Sequence, residues 1–252
     1  MYRVRFAIFV TNASEMIEKI QLPNILFLDI ETVPCLERYD ELDDEWKTLW
    51  EQKTQYQRRD ECTPEDFYER AGIWAEFGKI ICISAGYICF KGDVRQFRVT
   101  SFIGDEPRIL RDFSNLLENH FGQPQHLLCG HNAKEFDIPF IARRMIVNNV
   151  PIPQKLNLFG KKPWEVPHLD TLELWKFGDY KHFTALKLLC KVLGIPSPKG
   201  DIDGSQVGHV YYVEKDIDRI VTYCEKDVIA TAQVFLRLRR EELLVDEEIL
   251  HV

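Results

Sequence analysis

Apolar and polar positions alternate with changing period along this chain, and each change marks an element. The apolar run Ile25-Leu26-Phe27-Leu28-Asp29-Ile30-Glu31-Thr32 predicts a strand buried on both faces, stopped by Pro34, which cannot donate to a ladder. Lys79–Phe90 predicts a second strand, Gly92-Asp93 a turn, and the alternation over Val94–Phe102 a third strand antiparallel to it. From Asp105 the period becomes helical, with Pro107 in the first turn and Ile109, Leu110, Phe113, Leu116 and Leu117 at helical spacing. His126–Gly130 predicts a short buried strand, and a helix follows from about Asp137 with Pro139 tolerated in its first turn. Pro151, Pro153 and Pro163 break the next stretch into loop, which leads to a short strand at Leu169-Asp170-Thr171. Phe183–Leu193 predicts a helix closed by Gly194 and Pro196, Ser197–Gly208 a loop, and about Glu214–Glu242 a last long helix. This order predicts an α/β fold: a mixed sheet of antiparallel meander and parallel strands, flanked by helices on both faces.

Three segments fall outside that pattern. Residues 1–23 read as an N-terminal extension in which Met16 is an alternative start to Met1, and Phe6–Val10 is too short for a secretory core. Residues 35–75 read as a helical insertion whose Trp46, Trp50, Tyr56, Phe67, Tyr68 and Trp74 are expected to pack together rather than to form a base-stacking flap. Residues 239–252 read as an acidic C-terminal tail, which leaves 24–238 as the main domain. No apolar run is long enough to cross a membrane. The 7 cysteines lack CxxC pairs, and five of them, Cys82, Cys89, Cys129, Cys190 and Cys224, read as reduced core residues, not a disulfide frame or zinc site, so a cytoplasmic protein is expected. The net charge of −8 argues against a broad basic face for nucleic acid, but it is compatible with an acidic cleft whose charge bound divalent ions would invert.

Candidate chemistry lies in acidic segments far apart in sequence. Asp29 and Glu31 are two apart on the first strand, so both carboxylates point to one sheet face. Two carboxylates on a buried strand repel each other and lose hydration unless a cation neutralises them. Asp137 opens a helix, where a carboxylate also suits a cap. Tyr223 and Asp227 are four apart and share one face of the last helix, although a lone tyrosine there also fits a core position with a wet hydroxyl. His131 and His168 are expected to be structural, because hard-ion chemistry does not require imidazole.

Taken in order, Asp29-x-Glu31-Thr32, then Asn132-x₃-Phe136-Asp137, then Tyr223-x₃-Asp227 resemble the motifs of the DEDD superfamily of 3′–5′ exonucleases, in its DEDDy branch. His168-Leu169-Asp170-Thr171-Leu172 and Phe183-Thr184-Ala185-Leu186-Lys187 look like the same branch. The resemblance covers roughly residues 24–238 and is greatest to the proofreading exonuclease domain of family B DNA polymerases in a free-standing bacterial form. It implies a ribonuclease H-like fold and a two-metal-ion 3′–5′ exonuclease using Mg²⁺ or Mn²⁺. Such an enzyme would hydrolyse single-stranded DNA from its 3′ end to nucleoside 5′-monophosphates, in DNA repair or beside a polymerase acting in trans. It also implies that Asp29 bridges both ions, that Glu31 and Asp227 complete one shell, that Asp137 holds the second ion, and that Tyr223 orients the attacking water. Thr32, Asn132, Phe136, His182 and Lys187 are the candidate substrate contacts. The open alternatives are an exoribonuclease or oligoribonuclease, a non-catalytic nucleic-acid-binding module of the same fold, and a phosphatase of the haloacid dehalogenase kind. The last of these would need Asp-x-Asp where Glu31 stands.

Overall fold

Strand β1 (Ile25–Pro34) is the centre of a six-stranded sheet of order β5-β4-β1-β2-β3-β6. The structure is a computed structural model that describes residues 17–58, 62–179, 181–196 and 201–252. Strands β2 (Gly78–Lys91) and β3 (Val94–Ile103) complete the antiparallel meander predicted from the sequence, and β4 (Leu127–Gly130) and β5 (Leu169–Asp170) add parallel strands on the other side.

The period of two along β1 sends its side chains to two different cores. Leu26, Leu28 and Ile30 face α2 (Glu106–His120) and α3 (Asp137–Val147), against Ile109, Phe113, Ile138 and Ile141. Ile25 and Phe27 face α6 (Ile217–Leu238), against Val228 and Phe235, and Val33 meets Ile220 and Cys224 further along that helix. Asp29 and Glu31 occupy the same odd-numbered face, so the strand delivers both carboxylates under α6. The register of β1 on β2 shifts between Glu31 and Thr32. Bulges of this kind bend a strand and re-aim its side chains, and here the bend falls beside the acid pair.

The segment 35–75 is only partly helical. It carries α1 (Asp44–Thr54), capped by the Asp43 carboxylate accepting from the Trp46 N–H, and a 3-10 stretch Tyr68–Ile73. Four of the six aromatic residues expected to pack together do so, Trp50, Phe67, Tyr68 and Trp74. Trp50 is fully buried, ringed by Phe67, Tyr68, Trp74 and Phe77 at 5.1–6.1 Å between centroids, and its indole N–H donates to Pro64 O. Trp46 and Tyr56 stay exposed. The segment is seated on β1 through Gly72, where a Cβ would come within 3.1 Å of the Val33 backbone, so a side chain there would force the two segments apart.

The C-terminal end differs from expectation. The last helix stops at Leu238, and residues 239–252 do not form a free acidic tail but return to the sheet as β6 (Ile249–His251), parallel to β3. Arg95 on β3 holds the returning chain through Glu248 and the carbonyls of Glu242 and Leu243, while the Gln233 amide exchanges hydrogen bonds with the Leu244 backbone. The Phe183–Leu193 helix is shorter than expected, α5 running over Leu186–Val192, and α4 (Thr171–Lys176) follows β5 directly. Helical structure also begins inside the expected 197–208 loop, at Val207, and passes through a π-turn, Val210–Glu214, before α6. The readings placed on residues 1–16, Met16 included, and on 197–200 lie outside the described residues. Among the described residues no helix is long and apolar enough to cross a membrane.

Candidate active site

Parallel strands place their functional groups at their carboxyl ends, and β4 stops early there. Its last partner on β1 is Phe27, opposite Cys129, so the β1 edge beyond is open. The Ile30 N–H on that edge donates to Asp137 Oδ1 at 3.1 Å. The sequence allowed Asp137 to be a helix cap. The structure instead makes Phe136 the N-cap, without a side-chain cap bond, and directs the buried Asp137 carboxylate to β1. α6 crosses the opposite face of the strand and carries Tyr223, Cys224 and Asp227 over Asp29 and Glu31.

The acids converge closely enough to repel one another. Burial, then Asp137, Glu31 and Asp227, push the Asp29 carboxyl well above its ordinary value. Burial, then Asp227, with Cys82 and Asp137 behind it, does the same to Glu31. Asp137 is raised to about 7 and Asp227 to about 6, both chiefly by burial, with hydrogen bonds opposing. Among the described residues, the groups that act on these four carboxyls include no basic side chain. The Glu31 side chain, in a residue only 8% exposed, accepts no hydrogen bond among the described residues. Among the described residues no side-chain oxygen is both sealed from solvent and unpartnered, so the Glu31 carboxylate keeps an opening, where it faces like charge that a cation would relieve. The set is all oxygen donors apart from a neighbouring thiol, which suits hard divalent ions. The donors therefore fit the metal centre anticipated from the sequence.

Tyr223 hydrogen-bonds Asp227 one turn further along α6. Burial and the Asp227, Glu31 and Asp29 carboxylates hold its phenol well above its ordinary value, so it stays protonated at neutral pH and acts as a donor.

Sequence reasoning passed over two residues here. Asp170, at the end of β5, is 2% exposed, and its carboxylate accepts from the N–H groups of Asn132, Lys134, Leu172 and Glu173. It ties the 131–135 turn to α4 and thereby sets where α3 and Asp137 begin. Its sequence signals were its place in a short strand ending in Asp-Thr and in the His168–Leu172 segment that looks like the DEDDy branch, and neither assigned its carboxylate a role. Asp170→Asn replaces one acceptor oxygen by an NH₂ facing N–H donors. It is expected to cost about 2–3 kcal/mol, read as a lower denaturant midpoint at unchanged slope. The second residue is Cys224, whose thiol donates to Asp29 Oδ2 at 3.4 Å.

The anticipated substrate contacts are scattered. Thr32 sits at the bulge, and its hydroxyl donates to Gly72 O. Asn132 adopts φ +66°, a conformation that asparagine tolerates better than most residues, and its carbonyl accepts the Glu135 and Phe136 N–H groups. The turn before it is tight, because a Cβ at Gly130 would lie 2.4 Å from that of Ala133. Phe136 is half-buried and packs on Phe140 at the edge of the core. His182 and Lys187 are exposed. Both questioned histidines are structural. His168 accepts the Leu128 N–H and bonds Lys155 O, and burial depresses it to about 4; His131 bridges Thr171 and Thr184. Cavities of about 540 and 560 Å³ open on the outer side of α3 and beside β6, and neither is lined by the acids.

A family model described as "Predicted 3'-5' exonuclease related to the exonuclease domain of PolB" matches residues 73–250. The match takes in Asp137, Tyr223, Asp227 and β6, and it begins after Asp29 and Glu31. A search of curated proteins finds no match. Among solved structures, the family B DNA polymerase of the hyperthermophilic archaeon Pyrobaculum calidifontis is similar, at TM-score 0.52 and 15% identity. The likeness covers 82% of this chain and 23% of the polymerase, so the chain spans about a quarter of that protein's length. At that identity the likeness shows the fold, the ribonuclease H-like arrangement of a PolB exonuclease domain.

Proposed function

The chain belongs to the family of predicted 3′–5′ exonucleases related to the PolB exonuclease domain, and from that premise we propose that it is a divalent-metal-dependent 3′–5′ exonuclease that trims single-stranded DNA to nucleoside 5′-monophosphates. The observation that carries the reading is the convergence of Asp29, Glu31, Asp137 and Asp227, from two strand positions and two helices, into a single cluster of mutually repelling carboxylates.

Asp29, Glu31 and Asp227 are proposed to hold one ion, and Asp29 with Asp137 a second, Mg²⁺ or Mn²⁺ in each case. Bound divalent ions would supply charge relief to the phosphodiester and its leaving oxygen, and would acidify the attacking water. The side chains do the rest. The Ile30 N–H fixes one oxygen of Asp137. The protonated Tyr223 phenol orients the water by hydrogen bonding, which positions the nucleophile without withdrawing a proton from it. The backbone at Thr32 and Asn132 is proposed to meet the terminal nucleotide, and Lys187 with His182 the phosphates further along. A phosphatase of the dehalogenase kind leaves Tyr223 and Asp227 unexplained and does not agree with the family. A DNA polymerase acting in trans and a role in repair are proposed partners on the strength of the family alone, and a cytoplasmic setting is proposed with them.

The test is incubation of the purified protein with 5′-labelled and 3′-labelled single-stranded DNA and RNA, in Mg²⁺, Mn²⁺ or EDTA. A ladder shortening from the 3′ end of 5′-labelled DNA, immediate release of labelled mononucleotide from the 3′ label, and silence in EDTA are expected. Faster loss of RNA would reassign the substrate to an exoribonuclease. Retention of the strand without cleavage in every metal would leave a binding module.

A further inference from the structure

Cys224 is the soft donor that faces Asp29 in a cluster otherwise made of carboxylates, with the Cys82 thiol behind it, beside Glu31 and Cys224. It lies on α6 between Tyr223 and Glu225 and is fully buried, with its Sγ 3.4 Å from Asp29 Oδ2 and 3.5 Å from Asp29 O. Ligand atoms of Asp29, Glu31 and Cys224 all lie within 4.8 Å of one another. Around a tetrahedral ion with metal–oxygen near 2.1 Å and metal–sulfur near 2.3 Å, such donors stand about 3.6 Å apart. The Asp29–Cys224 spacing already matches this, and Glu31 closes the set by a small side-chain movement. Glu31 has nothing to give up, since it is nine-tenths buried and its carboxylate accepts no hydrogen bond among the described residues.

Hard ions such as Mg²⁺ gain little from sulfur, whereas Zn²⁺ and Cd²⁺ bind thiolate strongly. We infer that Asp29, Glu31 and Cys224 form a mixed carboxylate–thiolate site that captures a thiophilic divalent ion, in competition with the hard ion at the same acids. On capture the Cys224 S–H bond breaks, its proton leaves to solvent, and a sulfur–metal bond forms; water completes the shell, and nothing is oxidised or reduced. Such an ion withholds Asp29 and Glu31 from Mg²⁺ or Mn²⁺ and so arrests hydrolysis. That consequence rests on the exonuclease reading, but the capture itself does not.

Cd²⁺ is the probe, because its bond to thiolate gives an ultraviolet charge-transfer band. The full-length, metal-stripped protein is titrated with Cd²⁺ beside Cys224→Ser and Asp29→Asn, with circular dichroism confirming the fold of each. The cysteines away from the cluster contribute equally to all three proteins and cancel in the difference, and Cys82→Ser, which removes the thiol beside Cys224, is titrated with them and is expected to keep the band. The wild type is expected to develop a stoichiometric band, Cys224→Ser to lack that component, and Asp29→Asn to keep it at a Cd²⁺ affinity roughly tenfold or more lower. An unchanged band in Cys224→Ser, or unchanged affinity in Asp29→Asn, overturns the inference; if Cys224→Ser does not fold, Asp29→Asn decides alone. Band formation in a protein that cuts no oligonucleotide would defeat the exonuclease reading and leave this site standing. Hydrolysis without the band would do the reverse.

Discussion

Asp29→Asn is expected to lower hydrolysis of a single-stranded oligonucleotide by roughly a thousandfold or more while leaving the metal-free protein at least as stable as before. The first part follows from position. Asp29 is the carboxylate on which Asp137, Glu31 and Asp227 all act, so it is the group best placed to touch both proposed ions. The second part separates a functional carboxylate from a structural one. A buried acid that holds a fold together does so through donors or cations, and its removal destabilises. Among the described residues the Asp29 carboxylate accepts the weak thiol bond of Cys224 and otherwise faces like charge. The asparagine amide has the same shape and can still accept that bond, while it removes one charge from the cluster. Single-turnover assays in Mg²⁺ and thermal melts in EDTA read the two parts separately. Wild-type turnover would end the assignment. Lost turnover together with a lowered melting temperature would make Asp29 a structural residue.

The acid pair was legible because a period of two is rigid. Once β1 was read as a strand, Asp29 and Glu31 had to share a face, and Val33 and Phe27 fixed which face. Tyr223 and Asp227 were legible for the parallel reason on a helix. The helix-to-strand tie of Asp137 was not, because it depends on where β4 stops, and a four-residue strand carries too little pattern to show its end. Asp170 was hidden likewise: its four N–H donors come from segments up to 38 residues away. Cys224 was read as core, correctly for its burial, but no one-dimensional signal distinguishes a thiol facing lipophilic neighbours from one facing a carboxylate. β6 was masked by composition. Its three residues follow Asp246-Glu247-Glu248, and the sequence shows that charge more strongly than the Arg95 that absorbs part of it.

The metal-free protein is expected to lose stability as the pH rises from about 6.5 to about 8, and divalent ions to reverse that slope. In the unfolded chain carboxyls ionise near their ordinary values, around 4. In the folded protein Asp137 holds its proton to about 7, Asp227 to about 6, and Asp29 and Glu31 are also raised well above the ordinary range. The folded state therefore carries more protons than the unfolded one between these limits. Stability contributed by the protonated cluster is complete at low pH and is lost as the pH climbs through the folded values. His168, depressed to about 4, works in the opposite sense, since its stabilisation is present above the ordinary histidine value and fades only as the pH falls below it. Above about 6.5 that contribution is constant, so the remaining slope belongs to the acids. Asp137 and Asp227 together account for a loss on the order of 1 kcal/mol across this window, and Asp29 and Glu31 add to it in the same direction. Mg²⁺ or Mn²⁺ binds the ionised cluster, so the melting temperature is expected to rise more with metal at about pH 8 than at about pH 6.5. Melts in EDTA and in Mg²⁺ across that range measure both slopes, and Glu31→Gln should flatten each. A metal-free protein whose stability holds constant or climbs through the window, with no gain from either ion, would mean that these carboxylates are not forced together as the structure has them.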